Sequence, residues 1–270
     1  MLPLAPPLRL HAIELRGELA GGLTRPVLAI AQDDNDLEFQ VVLKARVPDM
    51  KEGHMGATSL ASELICSVLG RALGLRVPDY AIVTVSPEFV DPIENPRVKG
   101  LLAANLGDNF GSIYHEGYVL WNPEDQAHIE RALDTLEDVI TFDSSVINGD
   151  RRREKPNLLW NGSEFLAIDH SLALPMGLWP DKDVAESPLF PEPLLRKHVA
   201  FKALQNRGRA YLELLARWDI TDAVITELRS FIPATWETKA GDLDKMLGFL
   251  AARHQKRSLE ITQHLVGVLR

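Results

Sequence analysis

Asp150, Asn157 and Asp169 stand out by type and by order. The first two lie in a polar stretch, Asn148-Gly149-Asp150-Arg151-Arg152-Arg153-Glu154-Lys155-Pro156-Asn157. The third closes a short apolar run at Ile168-Asp169-His170. A carboxylate that can accept a hydroxyl proton, followed by two hard oxygen donors, is a set suited to phosphoryl transfer. Asp150 would orient or deprotonate the acceptor hydroxyl. Asn157 and Asp169 suit Mg2+, which takes one or two protein oxygens alongside substrate phosphates. Singly, each has an ordinary explanation: Asn-Gly-Asp is a turn, and Asp169 is a helix cap. The ordered set, with a hairpin spacing Asn157 from Asp169, is harder to reach by chance.

Such chemistry needs a fixed cation for the nucleotide phosphates, and Lys44 ends the apolar run Val41-Val42-Leu43. Glu63 lies in the first turns of the next helical segment, among Leu60, Ala61, Leu64 and Ile65, and a carboxylate there could pair with Lys44 and orient it. The alternative is a surface lysine and an acid that favours the positive helix N-terminus. Gly21 and Gly22, with Thr24 and Arg25, sit between the first two strands, where backbone N–H groups could approach phosphates. Neither Gly-x-Gly-x-x-Gly nor Gly-x-x-x-x-Gly-Lys-Ser/Thr occurs. His170 reads as a brace for the Asp169 loop, and Arg151 to Arg153 as a contact for phosphate or an acidic acceptor, or as a solvated basic loop.

The elements that position these groups follow from periodicity. Strands are expected at 11–19, 27–31, 39–44 and 80–85. A helix runs from Thr58 or Ser59 to about Leu73, ended by Gly74 and followed by Pro78. Polar residues 47–56 and the Pro-rich stretch 86–97 read as loops. Phe110-Gly111-Ser112 opens another strand, with adenine-pocket packing or a plain turn as its role. Two helices are expected at 124–136 and 136–147. The pair 157–160 and 164–168 forms a hairpin around Asn161-Gly162. Residues 175–193 read as a loop, and several helices follow from 194. The expected fold class is α+β and bilobal: a small β-rich lobe with one main helix (1–117) and a larger, mainly helical lobe (118–270).

Bulk composition narrows the partners. The net charge of −9 argues against general nucleic-acid binding through phosphate neutralisation. Cys66 is the single cysteine, which excludes an intrachain disulfide and suits a reducing cytoplasm. It falls mid-helix in apolar surroundings and reads as core. No apolar run approaches the roughly 20 residues that span a bilayer.

The chain resembles the HipA-like kinase domains, within the wider set that includes the phosphatidylinositol kinases. The resemblance is carried by Val41-Val42-Leu43-Lys44, by Ser62-Glu63-Leu64 leading to Leu73-Gly74-Leu75-Arg76-Val77-Pro78, by Asn148-Gly149-Asp150-Arg151, by Pro156-Asn157-Leu158-Leu159 and by Ile168-Asp169-His170. It implies a bilobal fold that uses ATP and Mg2+ to phosphorylate a protein hydroxyl. Lys44 matches the nucleotide lysine, Glu63 its partner, Asp150 the catalytic aspartate, and Asn157 with Asp169 the metal ligands. One departure is the spacing: Asn157 lies seven positions after Asp150. Lys155 takes the position, five on, that protein kinases give to the metal-binding Asn. Two alternatives are a nucleotide-binding pseudokinase and a metal-dependent phosphoesterase using Asp150, Asp169 and His170. The phosphoesterase has no need of a Lys44–Glu63 pair.

Overall fold

Strict alternation along β3 (Glu38–Lys44) sends Val41 and Leu43 to one face and Val42 and Lys44 to the other. In the computed structural model the first face lines the interior of a closed five-stranded sheet, ordered β1-β2-β3-β5-β4. Its other strands are β1 (Leu8–Glu18), β2 (Val27–Gln32), β4 (Tyr80–Val85) and β5 (Gly107–Ile113). The structure describes residues 4–19, 26–46, 58–174, 189–207, 213–217, 219–237 and 241–270, with backbone alone at 126–128, 213, 216 and 253–258. Gly21, Gly22, Thr24 and Arg25 lie outside the described residues, as do the expected loop at 47–56 and most of the one at 175–193.

Closure comes from β4 pairing parallel to β1, Leu8 opposite Ala81 through His11 opposite Thr84, while every other pairing is antiparallel. β1 is longer than its sequence suggests and bends through register shifts between Ala12 and Glu14 and between Leu15 and Gly17. Such bulges increase twist and let a sheet curl onto itself. Leu10, Ala29, Val41, Leu43, Ala81 and Val83 fill the interior. Tyr80, Ile82 and Phe110 point outward into a second, larger core.

α1 (Thr58–Ala72) covers that outer face, and thirteen of its fifteen residues are buried. Each fully buried Leu or Ile contributes roughly 1.5–3 kcal/mol of transfer free energy, so the helix is held by packing rather than by propensity. It ends as expected at Gly74, φ +89, where the Leu75 N–H reaches the Gly70 carbonyl at 2.8 Å. The same core continues into α4 (Gln126–Val146), α6 (Phe201–Leu204), α8 (Asp222–Phe231) and α9 (Asp242–Leu269). α5 (Glu192–Leu195) and α7 (Glu213–Ala216) are short helices of the same half, and Trp236 of the 3-10 turn Ala234–Trp236 donates to the Asp108 carbonyl at 2.8 Å.

Several local expectations change. The two helices expected at 124–136 and 136–147 are one continuous α4, because no breaker interrupts that run. The stretch read as a Pro-rich loop holds α2 (Pro87–Val90) and begins α3 (Pro96–Ala103). Proline is tolerated in a first helical turn, and here Ser86 and Asn95 cap the free N–H groups. The hairpin forms as β7 (Leu158–Trp160) and β8 (Phe165–Ala167), with β6 (Val119–Leu120) adding a third strand. Among the described residues, no helix is long and apolar enough to cross a membrane.

Gly111 sits in mid-β5 opposite Ala81, not in a turn. A Cβ there would come 2.6 Å from Val83 Cγ2, inside the closed sheet. Valine is stiff at χ1 and cannot swing away. Gly111→Ala is therefore expected to lower stability by about 1–3 kcal/mol, with Val83→Ala restoring part of the loss. Urea unfolding of the single and double variants checks this, and additive losses would refute the contact.

Candidate active site

Lys44 faces away from the barrel interior and is covered by α1, so its ammonium is buried and must be paired. It donates to Glu63 Oε1 on α1 and, at 3.0 Å, to Asp169 Oδ1 just after β8. The second Glu63 oxygen accepts the His170 N–H at 3.0 Å. One lysine and one glutamate thus fasten β3, α1 and the Asp169 segment together. Burial alone would discharge Lys44, but the Asp169 and Glu63 carboxylates outweigh it and hold its pKa above the ordinary value. Burial likewise opposes ionisation of Asp169, yet Lys44 and Lys155 hold it well below the usual carboxylate range. Burial pushes Glu63 up, against the pull of Lys44, so Asp169 is the firmly ionised partner.

Asp150 is set by an Asn-Gly-Asp turn anchored from below. Asn148 Nδ2 donates to Asp143 Oδ1 at 3.0 Å, and Asn148 Oδ1 accepts the Asp150 N–H at 3.3 Å. The Asp150 carboxylate is largely buried and ion-pairs with Lys155, which also meets Asp169 Oδ2 at 2.9 Å. Both carboxylates therefore converge on one cationic group. The two additional residues between Asp150 and Asn157 are absorbed locally. Arg152 and Lys155 exchange backbone hydrogen bonds at 3.0 Å in each direction, pinching 152–155 into a tight turn. Asn157 then returns beside Asp150, with its side-chain nitrogen 3.5 Å from Oδ2.

Asn157 and Asp169 both hold left-handed backbone, at φ +47 and +59. Ile147, a β-branched residue at φ +53, opens the same loop. Such conformations cost on the order of 1–3 kcal/mol each and persist where surroundings over-determine them. Here the surroundings include the Ile168 N–H on the Asn157 carbonyl at 3.0 Å and the Ser171 hydroxyl on Asp169 Oδ1 at 2.8 Å.

Of the expected residues, Lys44, Glu63, Asp150, Asn157 and Asp169 come together; Gly21 and Gly22 lie outside the described residues. Arg151 corrects the expectation of a solvated or phosphate-binding side chain. It is wholly buried, with Nε on Asp143 Oδ2 at 2.6 Å and Nη1 on the Asn157 carbonyl and, at 2.9 Å, the Ile168 carbonyl. His170 does brace, through its backbone to Glu63 and its ring to Arg151 at 3.0 Å. A guanidinium only donates, so His170 Nε2 accepts and the ring is neutral. Burial, with Arg151 adding to it, pushes its pKa down to about 3. Asp143 and His198 escaped the sequence reading. Their one signal was an acid on the apolar stripe of α4, at helical spacing from Leu136, Val139, Ile140 and Val146.

Chemically, Asp150 and Asp169 direct carboxylate oxygens at the Lys155 ammonium, and Asn157 sets its side-chain amide beside Asp150. Among the described residues, no group of three or more His, Cys, Asp or Glu could hold a metal ion by itself. A divalent ion here would be shared with phosphate oxygens, as Mg2+ commonly is.

A family model for HipA-like kinases matches residues 13–259, and the chain belongs to that family. Phosphotransfer is the general activity class this membership supports. A crystal structure of a Helicobacter pylori proinflammatory kinase, CtkA, is similar at 14% identity, covering 98% of this chain and 96% of that one, with a TM-score of 0.47. A Golgi casein kinase with Mn and ADP bound is similar at 12% identity, over 98% of this chain and 74% of that one, with a TM-score of 0.42. At these scores neither neighbour carries an argument, and the assignment rests on the family match. No curated protein matches the chain.

The buried imidazoles give the fold an acid sensitivity of defined sign. His170 titrates near 3 when folded against 6.5 ordinarily, and burial lowers His198 as well. Between those values the unfolded chain binds more protons, so stability is complete above about 6.5 and falls with pH below it. Asp143, held low against burial chiefly by Arg151, adds a loss in the same direction only below its ordinary 3.8. The urea midpoint is expected to drop from about pH 7 to about pH 5, less steeply in His170→Gln. A midpoint constant over that range would refute the assignment.

Proposed function

We propose that this chain transfers the γ-phosphoryl group of ATP to a hydroxyl, that of Ser or Thr in a protein, in the presence of Mg2+. The observation that carries the proposal is the buried Lys44, held between Glu63 and Asp169 from opposite ends of the sequence, with Asp150 joined to the same Asp169 through Lys155. In this reading residues 1–117 and 118–270 form two lobes, and nucleotide lies in the cleft between them. Gly21 and Gly22 would approach the phosphates with backbone N–H groups. Lys44, oriented by Glu63, would hold the α- and β-phosphates. Asp150 would accept or orient the acceptor hydroxyl proton at its carboxylate, in a partly buried setting that limits competing water. Asp169 and Asn157 would hold Mg2+, which when bound neutralises charge on the phosphate oxygens. Lys155 would release Asp169 to the metal and turn to a phosphate oxygen. The lone, buried cysteine and the negative net charge support a cytoplasmic enzyme whose partners are ATP and a protein, not general nucleic acid.

A second reading, a nucleotide-binding module without turnover, is favoured by Lys155 itself, because its ion pairs engage both Asp150 and Asp169. The phosphoesterase alternative loses support because the His170 ring is committed to Arg151 and buried.

Incubation with ATP labelled on the γ-phosphate and Mg2+ is expected to label the chain or an added protein. Asp150→Ala should cut that transfer by about 10²–10⁴-fold. Asp169→Asn should instead weaken Mg2+-dependent nucleotide binding, read as thermal stabilisation. Stabilisation by nucleotide with no transfer above the Asp150→Ala background would favour the second reading. No stabilisation by any nucleotide would defeat both.

A further inference from the structure

Beneath the proposed site lies a buried polar cluster that none of its chemistry uses. Arg151, Asp143 and Asn148 are fully buried, and His170 and His198 nearly so, at 1% and 3% exposed. Removing so many polar groups from water is costly unless each is satisfied, and a charge requires a charged partner. The cluster meets that demand closely. Asp143 Oδ1 accepts from Asn148, and Oδ2 accepts from Arg151 Nε at 2.6 Å and faces His198 Nε2 at 3.0 Å. His198 Nδ1 accepts the Ala200 N–H, which leaves the proton on Nε2 to donate to Asp143. The Arg151 carbonyl accepts the Val199 N–H at 3.1 Å, tying the arginine to the segment before α6.

The remaining face of the guanidinium reaches the two segments that bear the oxygen donors. Nη1 donates to the carbonyls of Asn157 and Ile168, and Nη2 contacts the His170 ring. One nitrogen therefore bridges the Asn157 and Ile168 carbonyls, reinforcing from outside the ladder the Ile168 N–H bond that joins the same two segments. Asn157 and Asp169 are both left-handed, so a small rotation at either would swing its side chain away. A planar fork can span two carbonyls, a carboxylate and an imidazole at once, whereas an ammonium cannot.

We propose that Arg151 is the positioning residue of this site: anchored by Asp143 and His198, it fixes Asn157 and Asp169 in mutual register. The inference rests on the phosphoryl-transfer reading for its consequence, but the register itself is measurable without turnover. Arg151→Lys keeps the charge and loses the fork. Hydrogen exchange at the Ile168 and His170 amides is expected to accelerate at least tenfold, while the β4 amides stay unchanged. In transfer assays kcat should fall roughly 100-fold, as expected for a misplacement near 1 Å. KM for ATP should change little, and half-maximal rate should need more Mg2+. Exchange that rises uniformly through the helices, or not at all at 157–170, would overturn the proposal. If Arg151→Lys does not fold, native-state exchange of the unaltered chain decides. The Ile168, His170 and Val199 amides should open together at one denaturant dependence, and separate openings would overturn the proposal. Loosened loops in a protein whose wild type transfers no phosphate would leave the positioning role standing and defeat the phosphoryl-transfer reading alone.

Discussion

A lysine ammonium removed from water at the end of β3 constrains everything around it. An unpaired charge there would cost far more than a domain's net stability, so Lys44 exists as a cation only if carboxylates are brought to it. Glu63 comes from a helix that is itself almost wholly buried, and Asp169 comes from beyond a hairpin more than a hundred residues later. Satisfying one charge thereby requires the closed sheet, α1 and the β7–β8 hairpin to take up a single arrangement. The outward face of β4 and β5 gives α1 its apolar seat, and the inward face gives the barrel its own core. The Lys44 contact is the polar seam between those two cores.

A second buried cation, Arg151, works from the opposite side. Lys44 gathers the Glu63 and Asp169 carboxylates, while Arg151 holds the backbone at Asn157 and at Ile168, just before Asp169. Asp169 is the residue both cations constrain, Lys44 through its side chain and Arg151 through the preceding carbonyl. Lys155 completes the charge balance, meeting the remaining oxygens of Asp150 and Asp169, and burial fails to discharge it because those carboxylates outweigh it. The result is that Asp150 and Asp169 share one ammonium between them, and Asp169 is held well below the usual carboxylate range by its two lysines.

Much of this was legible in order and type. The strands at 27–32, 38–44 and 80–85, the span of α1 and its Gly74 terminus, and the hairpin around Asn161-Gly162 follow from alternation, helical spacing and turn chemistry. Misreadings came where a local rule was overridden or applied too strictly. Prolines at 87 and 96 begin helices rather than exclude them, because they occupy first turns. The long spacing from Asp150 to Asn157 is taken up by the pinched turn at 152–155, which sets the Asn157 side chain beside Asp150. Arg151 looked like its neighbours, exposed Arg152 and half-buried Arg153, since three consecutive arginines carry no sign of which one is buried.

From the residues alone came the α+β character, the family and the choice of Lys44, Glu63, Asp150, Asn157 and Asp169 as candidates, because these depend on side-chain chemistry and on short-range periodicity. Tertiary structure alone decided that the first sheet closes on itself, that Lys44 has two partners rather than one, and that Asp143 and His198 belong beneath the site. Those outcomes depend on which surfaces are buried against which. A buried charge takes the partners that packing delivers, and packing joins residues that no spacing along the chain connects.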